Sequence, residues 1–369
     1  MRSPIRVLVV DDSALMRKLI PQLLQGDPSI EVVGTAMDGL LGLKKIAELR
    51  PDVVTLDLEM PRMDGLDTLR EIVKKYSIPV IVVSSHTSKG AYSALNALSQ
   101  GAFDFVAKPT DSPKGGLEQI ARELAVKIKV ASISGAPKLT FSPPPHVPHA
   151  PKPQPTANRP SRVIAIGVST GGPNALDYLC SQLPAGFAGC LVIVQHMPEG
   201  FTGMFARRLN DCSAIHVSEA LSGDLLRPGR AFICPGNRHL KIRRTPQGEM
   251  ITLVDQAPVN GHRPSVDVLF RSVAKELGKE SAAVIMTGMG DDGATAMKAV
   301  LEAGGLTIAQ SMDSCVVDSM PRAAIEAGYA TRVVSLENLP NVLQILSQDD
   351  GSNPRGIATE LEMLRGDRR

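Results

Sequence analysis

Two groups of residues in this 369-residue chain have the types and spacing to do chemistry. The first is a set of acids with a lysine. Asp11 and Asp12 follow the apolar run 5–10, Asp57 follows the run 52–56, Ser84 follows 79–83, and Lys108 follows 103–107. Three carboxylates brought together repel one another unless a cation neutralises them, and a hard, oxygen-ligated divalent ion such as Mg²⁺ meets that need. Asp57 is then the natural phosphoryl acceptor, with the Lys108 ammonium and the Ser84 hydroxyl to neutralise the new oxygens. Helix capping is the other reading of the aspartates, since Asp11-Asp12-Ser13 precedes the helix-like Ala14-Leu15-Met16. Capping alone leaves Lys108-Pro109 unexplained.

The second group lies in the C-terminal half. Gly167-Val168-Ser169-Thr170-Gly171-Gly172 satisfies G-x-S-x-G, in which small neighbours let a sharp turn expose a serine, so Ser169 is a candidate nucleophile. A glycine-rich turn that cradles phosphate is the alternative, and the lack of a following lysine excludes a P-loop. His196, in Val194-Gln195-His196-Met197-Pro198, closes the next apolar run and supplies a base for Ser169. Gly288-Met289-Gly290-Asp291-Asp292-Gly293 places an acid at the same sheet edge, where it can orient and stabilise an imidazolium. This loop also fits G-x-G-x-x-G, but its two interior carboxylates would repel a pyrophosphate. Spacing does not choose between Asp291 and Asp292, and Asp291 can instead cap the next helix.

These residues need a scaffold that gathers strand ends. In the first 125 residues the β-branched runs 5–10, 31–36, 52–56, 79–83 and 103–107 alternate with helical patterns, as parallel strands buried on both faces do. Five βα repeats make a doubly wound sheet, whose ligands sit outside the carboxyl ends of the strands. The rhythm returns at 163–167, 190–195, 231–234, 282–287 and 306–309, with a hairpin expected from 240–243 and 250–254, so the second α/β domain reads as mixed and mostly parallel. Residues 137–160 hold nine prolines, and no acid occurs between Glu123 and Asp177. That composition predicts an extended linker over 126–160, in which His146 and His149 are solvated spacer residues. The expected domains are 4–125 and 161–348, followed by a polar tail over 349–369.

Composition excludes several classes. Forty Lys and Arg against 38 Asp and Glu leave a net charge of +2 and no basic run, while eight Phe, four Tyr and no Trp leave few rings to stack on bases, so nucleic acid is not an expected partner. No stretch approaches the roughly 18 apolar residues of a membrane span. Met1-Arg2-Ser3-Pro4 lacks the zones of a signal peptide, so a cytoplasmic location is expected. The five cysteines form no CxxC pair and read as small buried hydrophobes.

The paired acids, Asp57 to Gly65 (DLEMPRMDG), Ser84 and Lys108-Pro109 together resemble the receiver domain of two-component response regulators, a flavodoxin-like five-stranded parallel sheet. With the linker, GVSTGG, QHMP, TGMGDDG and Pro264-Ser265-Val266-Asp267, the chain over about residues 4 to 347 resembles the chemotaxis protein-glutamate methylesterase family, CheB. The Ser, His, Asp chain order differs from that of α/β hydrolases. The resemblance implies hydrolysis of glutamyl methyl esters on chemoreceptors and deamidation of receptor glutamines, with Ser169 as nucleophile, His196 as base and acid, and Asp292 as orienting carboxylate. Backbone N–H groups of Thr170 and Met289 are the oxyanion candidates. It also implies Phe105 as the aromatic that follows Ser84 on phosphorylation, Mg²⁺ at Asp11, Asp12 and Asp57, no cofactor in the second domain, and a chemotaxis histidine kinase as phosphodonor. A transcription factor would need a basic recognition helix, which is not found; a noncatalytic receptor adaptor would share the same fold. Arg207, Arg208, Lys241, Arg243 and Arg244 are either contacts for acidic receptor helices or solvated surface charge.

Overall fold

The computed structural model describes residues 3–85, 87–108, 115–136 and 159–348. The tail over 349–369, Pro109 and residues 137–158 of the expected linker lie outside the described residues. The chain divides into two compact units, residues 1–142 and 143–369.

The first unit alternates strand and helix: β1 (Ile5–Val10), α1 (Ala14–Leu24), β2 (Ile30–Ala36), α2 (Gly39–Leu49), β3 (Val53–Leu56), α3 (Gly65–Lys75), β4 (Val80–Ser84), α4 (Ser88–Ser99), β5 (Asp104–Ala107) and α5 (Gly115–Ser134). The strands pair in parallel in the order β2-β1-β3-β4-β5, so the chain starts near the middle and winds to both sides. Residues of β3, β4 and β5 are buried along their whole lengths, which is why these runs are mostly apolar rather than alternating. Helix starts carry their own caps. The Ser13 hydroxyl accepts from Met16 N–H, the Asp38 carboxylate from Leu41, Asp64 from Asp67 and Thr87 from Gly90. Ser13 therefore caps α1, leaving the two preceding aspartates for another task.

Helix α5 runs on to Ser134, nine residues past the boundary expected at 125. Buried Leu124, Ile128 and Ala131 continue the helical apolar period, and Gly135, at φ +74°, closes the helix by donating its N–H to Ala131 O. The loss of acids after Glu123 marks a change in composition but not the end of this amphipathic face.

The second unit comprises β6 (Val163–Val168), α6 (Gly172–Gln182), β7 (Cys190–Gln195), α7 (Thr202–Cys212), β8 (His216–Glu219), β9 (Arg230–Ile233), β10 (His239–Thr245), β11 (Gly248–Val254), α8 (Val266–Leu277), β12 (Ser281–Ile285), α9 (Ala294–Glu302), β13 (Leu306–Gln310), α10 (Ser319–Glu326), β14 (Arg332–Val334) and α11 (Leu339–Gln348). Seven strands form one sheet in the order β14-β13-β12-β6-β7-β9-β8, and every described pairing in it is parallel. The expected mixed, mostly parallel domain is built from two sheets, with β10 and β11 pairing antiparallel as a separate ribbon. The buried face of that ribbon, Leu240, Ile242 and Ile251, joins a core with Phe270 and Val273 of α8, so the hairpin covers a helix rather than extending the sheet. From central β6 the chain winds to one side through β7, then returns to the other through β12. Ligands of open α/β sheets bind at such a reversal.

Candidate functional site

In the first unit the sheet topology delivers its acids to one edge. Ligand oxygens of Asp11, Asp12 and Asp57 all lie within 4.8 Å of one another. Asp11 and Asp57 are buried, and Asp12 is exposed. Lys108 Nζ donates to Asp57 Oδ2 at 2.7 Å and stands 3.1 Å from Asp11 Oδ2. The latter oxygen is buried yet has no hydrogen bond of good geometry. Burial raises the Asp57 carboxyl above its ordinary value, and the Lys108 ammonium offsets only part of this; Asp11 is raised for the same reason. Burial opposes the Lys108 charge, but the hydrogen bond to Asp57 and the charge of Asp11 outweigh it and hold the ammonium above its usual range. A buried, unsatisfied carboxylate oxygen beside two further carboxylates is a donor set that fits a small hard cation such as Mg²⁺.

The Ser84 hydroxyl is buried and donates to Gly90 O at 2.8 Å. Phe105 is 3% exposed. Lys127 of α5, which no sequence motif marks, donates to Phe105 O at 2.6 Å and sits 5.5 Å over the centre of its ring. It also pairs with Glu123 at 2.8 Å and Asp104 at 3.3 Å.

In the second unit the reversal point gathers Ser169, His196 and Asp292. Val168 pairs with Gln195 at the ends of β6 and β7, so Ser169 and His196 are the next residues in register on strands that run about 4.8 Å apart. Their backbones are tied: His196 N–H donates to Val168 O, and Gln195 Nε2 donates both to Ser169 O at 3.0 Å and to His196 O at 3.1 Å. Ser169 N–H reaches across to Thr287 O, and the Thr287 hydroxyl donates to Thr170 O at 2.9 Å. Gly288 is required by close approach. A methyl group there would lie 2.8 Å from Ser169 Cβ and 2.2 Å from Met320 Sδ.

Asp292 is the acid on the histidine: its Oδ2 stands 2.9 Å from His196 Nε2. Its carboxylate also accepts from Ser265 Oγ at 2.8 Å, Val266 N–H at 2.7 Å, Asn260 Nδ2 at 3.1 Å and Asp267 N–H at 3.3 Å. Two of those donors are backbone groups opening α8, where the helix end favours a negative charge. Burial alone would raise this carboxyl, but His196 and the donors from α8 win and hold it at about 2. Asp291 is exposed, and its carbonyl accepts from Ala294 N–H as α9 begins.

The serine side of the expected relay is open. His196 Nδ1 is buried without a hydrogen-bond partner, so no Ser169 hydroxyl contact is made in this conformation. Such contacts are often long before substrate binds. His262 stacks on His196 with ring centres 3.9 Å apart and planes within 5°. No sequence pattern marks His262. Gln195 was detectable in principle, as the polar residue ending an otherwise apolar strand. Thr170 is buried and Met289 half-buried beside the serine turn.

Three of the five surface cations, Arg208, Arg244 and Lys241, are engaged within the unit. Arg208 holds Asp177 through two nitrogens, Arg244 pairs with Glu280 and with Glu249 at 3.4 Å, and Lys241 donates to Gln256. Cys180, Cys190 and Cys234 are buried, and Cys212 and Cys315 are half-buried. Among the described residues no helix is long and apolar enough to cross a membrane.

Comparison with known proteins agrees with this division. Residues 164–343 match the family described as CheB methylesterase, and residues 7–118 match the response regulator receiver domain. The chain is 59% identical over 354 residues to protein-glutamate methylesterase/protein-glutamine glutaminase 2 of Koribacter versatilis (strain Ellin345), covering 94% of this chain and 97% of that protein. It is 45% identical over 345 residues to the protein of the same activities from Bacillus subtilis (strain 168), covering 91% and 96%. With relatives this similar over nearly their full length, the chain belongs to the CheB family of protein-glutamate methylesterases/protein-glutamine glutaminases, hydrolases that carry a response regulator receiver domain.

Proposed function

We propose that this chain is a phosphorylation-activated esterase that hydrolyses γ-glutamyl methyl esters on cytoplasmic regions of chemoreceptors and deamidates receptor glutamines. The carrying observation is the buried His196–Asp292 pair next in register to Ser169, with His196 Nδ1 left for the serine.

Ser169 Oγ attacks the γ-carbonyl carbon while its proton passes to His196 Nδ1, and Asp292 stabilises the imidazolium through Nε2. The carbonyl oxygen becomes an oxyanion, held by the backbone N–H groups of Thr170 and Met289. Collapse breaks the C–O bond to the methoxy group, which leaves as methanol with the proton from His196. Water then gives a proton to Nδ1 and adds to the acyl carbon; the second collapse returns that proton to Ser169 and releases glutamate. With glutamine the C–N bond breaks and ammonia leaves instead.

In the first unit Asp57 accepts a phosphoryl group from a phosphohistidine of a chemotaxis kinase: the P–N bond breaks and a P–O bond forms. Asp11, Asp12 and Asp57 would hold Mg²⁺, which supplies charge neutralisation at the transferring oxygens. Lys108 pairs with the new phosphoryl oxygens. The Ser84 hydroxyl leaves Gly90 O for one of them, and the Phe105 ring follows that shift. The enzyme works in the cytoplasm, without a cofactor in its catalytic unit.

The test is methanol release from methylated receptor, with and without a phosphodonor. Ser169→Ala should lose on the order of 10⁶ in kcat yet still accept phosphate, and Asp57→Asn should show unchanged basal release without stimulation. Normal release by the serine variant would overturn the mechanism; equal stimulation of wild type and Asp57→Asn would overturn the switch.

A further inference from the structure

Two loops in the second unit exchange carboxylates. Asp292, which stands just ahead of α9, accepts the first N–H groups of α8; Asp267, in the first turn of α8, accepts Gly293 N–H at 3.0 Å and Ala296 N–H at 3.3 Å at the start of α9. Each helix thus receives its missing cap from the other's loop, and neither Ser265 nor Gly293, the residues at the formal cap positions, caps with its own side chain. Both acids are nearly fully buried, Asp292 at 1% and Asp267 at 5% exposure. The Gly293 N–H held by Asp267 belongs to the peptide that joins Gly293 to Asp292. The Asp267 carboxylate therefore fixes the backbone carrying the acid that meets His196, while the Asp267 N–H holds the acid's Oδ1.

We infer that Asp267 is a positioning residue for hydrolysis: its carboxylate, by capping α9, locks Asp292 against His196 Nε2. This rests on the triad proposed above. Release of Gly293 N–H lets the loop 288–293 turn, and the Asp292 carboxylate moves off the imidazole. Among the described residues, the charged or titratable groups placed about His196 include Asp292 from the loop before α9, His262 stacked on the ring, and Asp267 behind Asp292 with its Arg271 partner at 3.4 Å.

The experiment is the pH dependence of kcat/KM for methanol release from methylated receptor by the full chain. Asp267→Ala should lower kcat on the order of 10²-fold, the cost of a small misplacement, with KM little changed. Its acid limb should move to lower pH, in the same direction as for Asp292→Asn, because an imidazolium with a displaced carboxylate gives up its proton more readily. In the Asp292→Ala background, Asp267→Ala should add no further loss. Asp267→Asn keeps an oxygen for Gly293 N–H and should recover most of kcat, and it keeps the test alive if the alanine variant does not fold. A purely structural role would reduce the amount of folded enzyme while leaving the acid limb in place. An unmoved limb in folded Asp267→Ala, losses that add to those of Asp292→Ala, or a loss of kcat in Asp267→Asn as large as that of Asp292→Asn, overturns the inference while the triad stands. Full activity in Asp292→Ala overturns the triad and this inference with it.

Discussion

The two units bury carboxylates at the same kind of place, the carboxyl edge of a parallel sheet, and treat them in opposite ways. Around Asp57 the donors are sparse: Ser13 N–H serves Asp11, Glu59 N–H and Lys108 serve Asp57, Asp11 Oδ2 is buried without a good hydrogen bond, and burial pushes both carboxyls up despite Lys108. Around Asp292 the donors converge from His196, Asn260, Ser265 and the start of α8, and they hold the carboxyl at about 2. An under-satisfied cluster suits the cation and phosphoryl group proposed for it above. A saturated carboxylate is built to stay ionised while a neighbour changes charge. Burial is common to both; the count of donors decides which chemistry each can perform.

The comparison breaks most visibly at Asp292. If it orients His196 as proposed, replacing it with alanine should cost on the order of 10⁴ in kcat, the loss an orienting acid causes in a Ser-His-Asp triad. Phosphorylation of Asp57 in that variant should proceed at the wild-type rate, as followed by acid-labile phosphate. A slowed phosphorylation would mean that the two sites are not chemically separate.

Mg²⁺ sharpens the contrast. In calorimetry of the full chain it should stabilise the transition of the first unit by about 2.7 kcal/mol at a hundredfold excess over Kd, and Asp57→Ala should weaken this response. The transition of the second unit should not move, because Asp292 already has its donors. Stabilisation of both transitions would contradict the distinction.

Acidification gives the smallest effect, and its sign differs between the units. Asp292 is lowered from 3.8 to about 2 in the fold. Its contribution, on the order of 2 kcal/mol, is present above pH 4 and is lost as pH falls through that interval. Asp11 and Asp57 are raised, so the folded first unit binds protons more readily than the unfolded chain. Their ionisation costs stability at neutral pH, and that cost is relieved as pH falls through their raised folded values. Calorimetry between pH 7 and 3 should show the second unit's transition declining at the acid end, while these two groups oppose the decline of the first. A loss in the first unit that shrinks when Asp57 is replaced by asparagine would reverse this reading.

Much of this was legible in the sequence because strand ends carry the chemistry and strands announce themselves. The runs at 5–10 and 190–195 match β1 and β7 residue for residue. Strands β8 and β14 escaped notice because edge strands of four and three residues, with His216 exposed and Arg332 half-buried, offer no continuous apolar run. The separate sheet of β10 and β11 was hidden because a hairpin pattern says what pairs locally and not what lies beneath it. Nor could spacing choose between Asp291 and Asp292. The choice is made by Asn260, Ser265 and Val266, 26 to 32 positions earlier in the chain, which only the fold brings beside the loop.

The Gln195 amide touches the carbonyls of both Ser169 and His196. One rigid side chain thereby couples drift of the serine turn to drift of the histidine strand end, so the spacing between their α-carbons is insulated from loop fluctuations. Closing the last gap then falls to side-chain rotation, a picosecond-to-nanosecond event. The relay proposed above would then need only side-chain motion, with the main chain left in place.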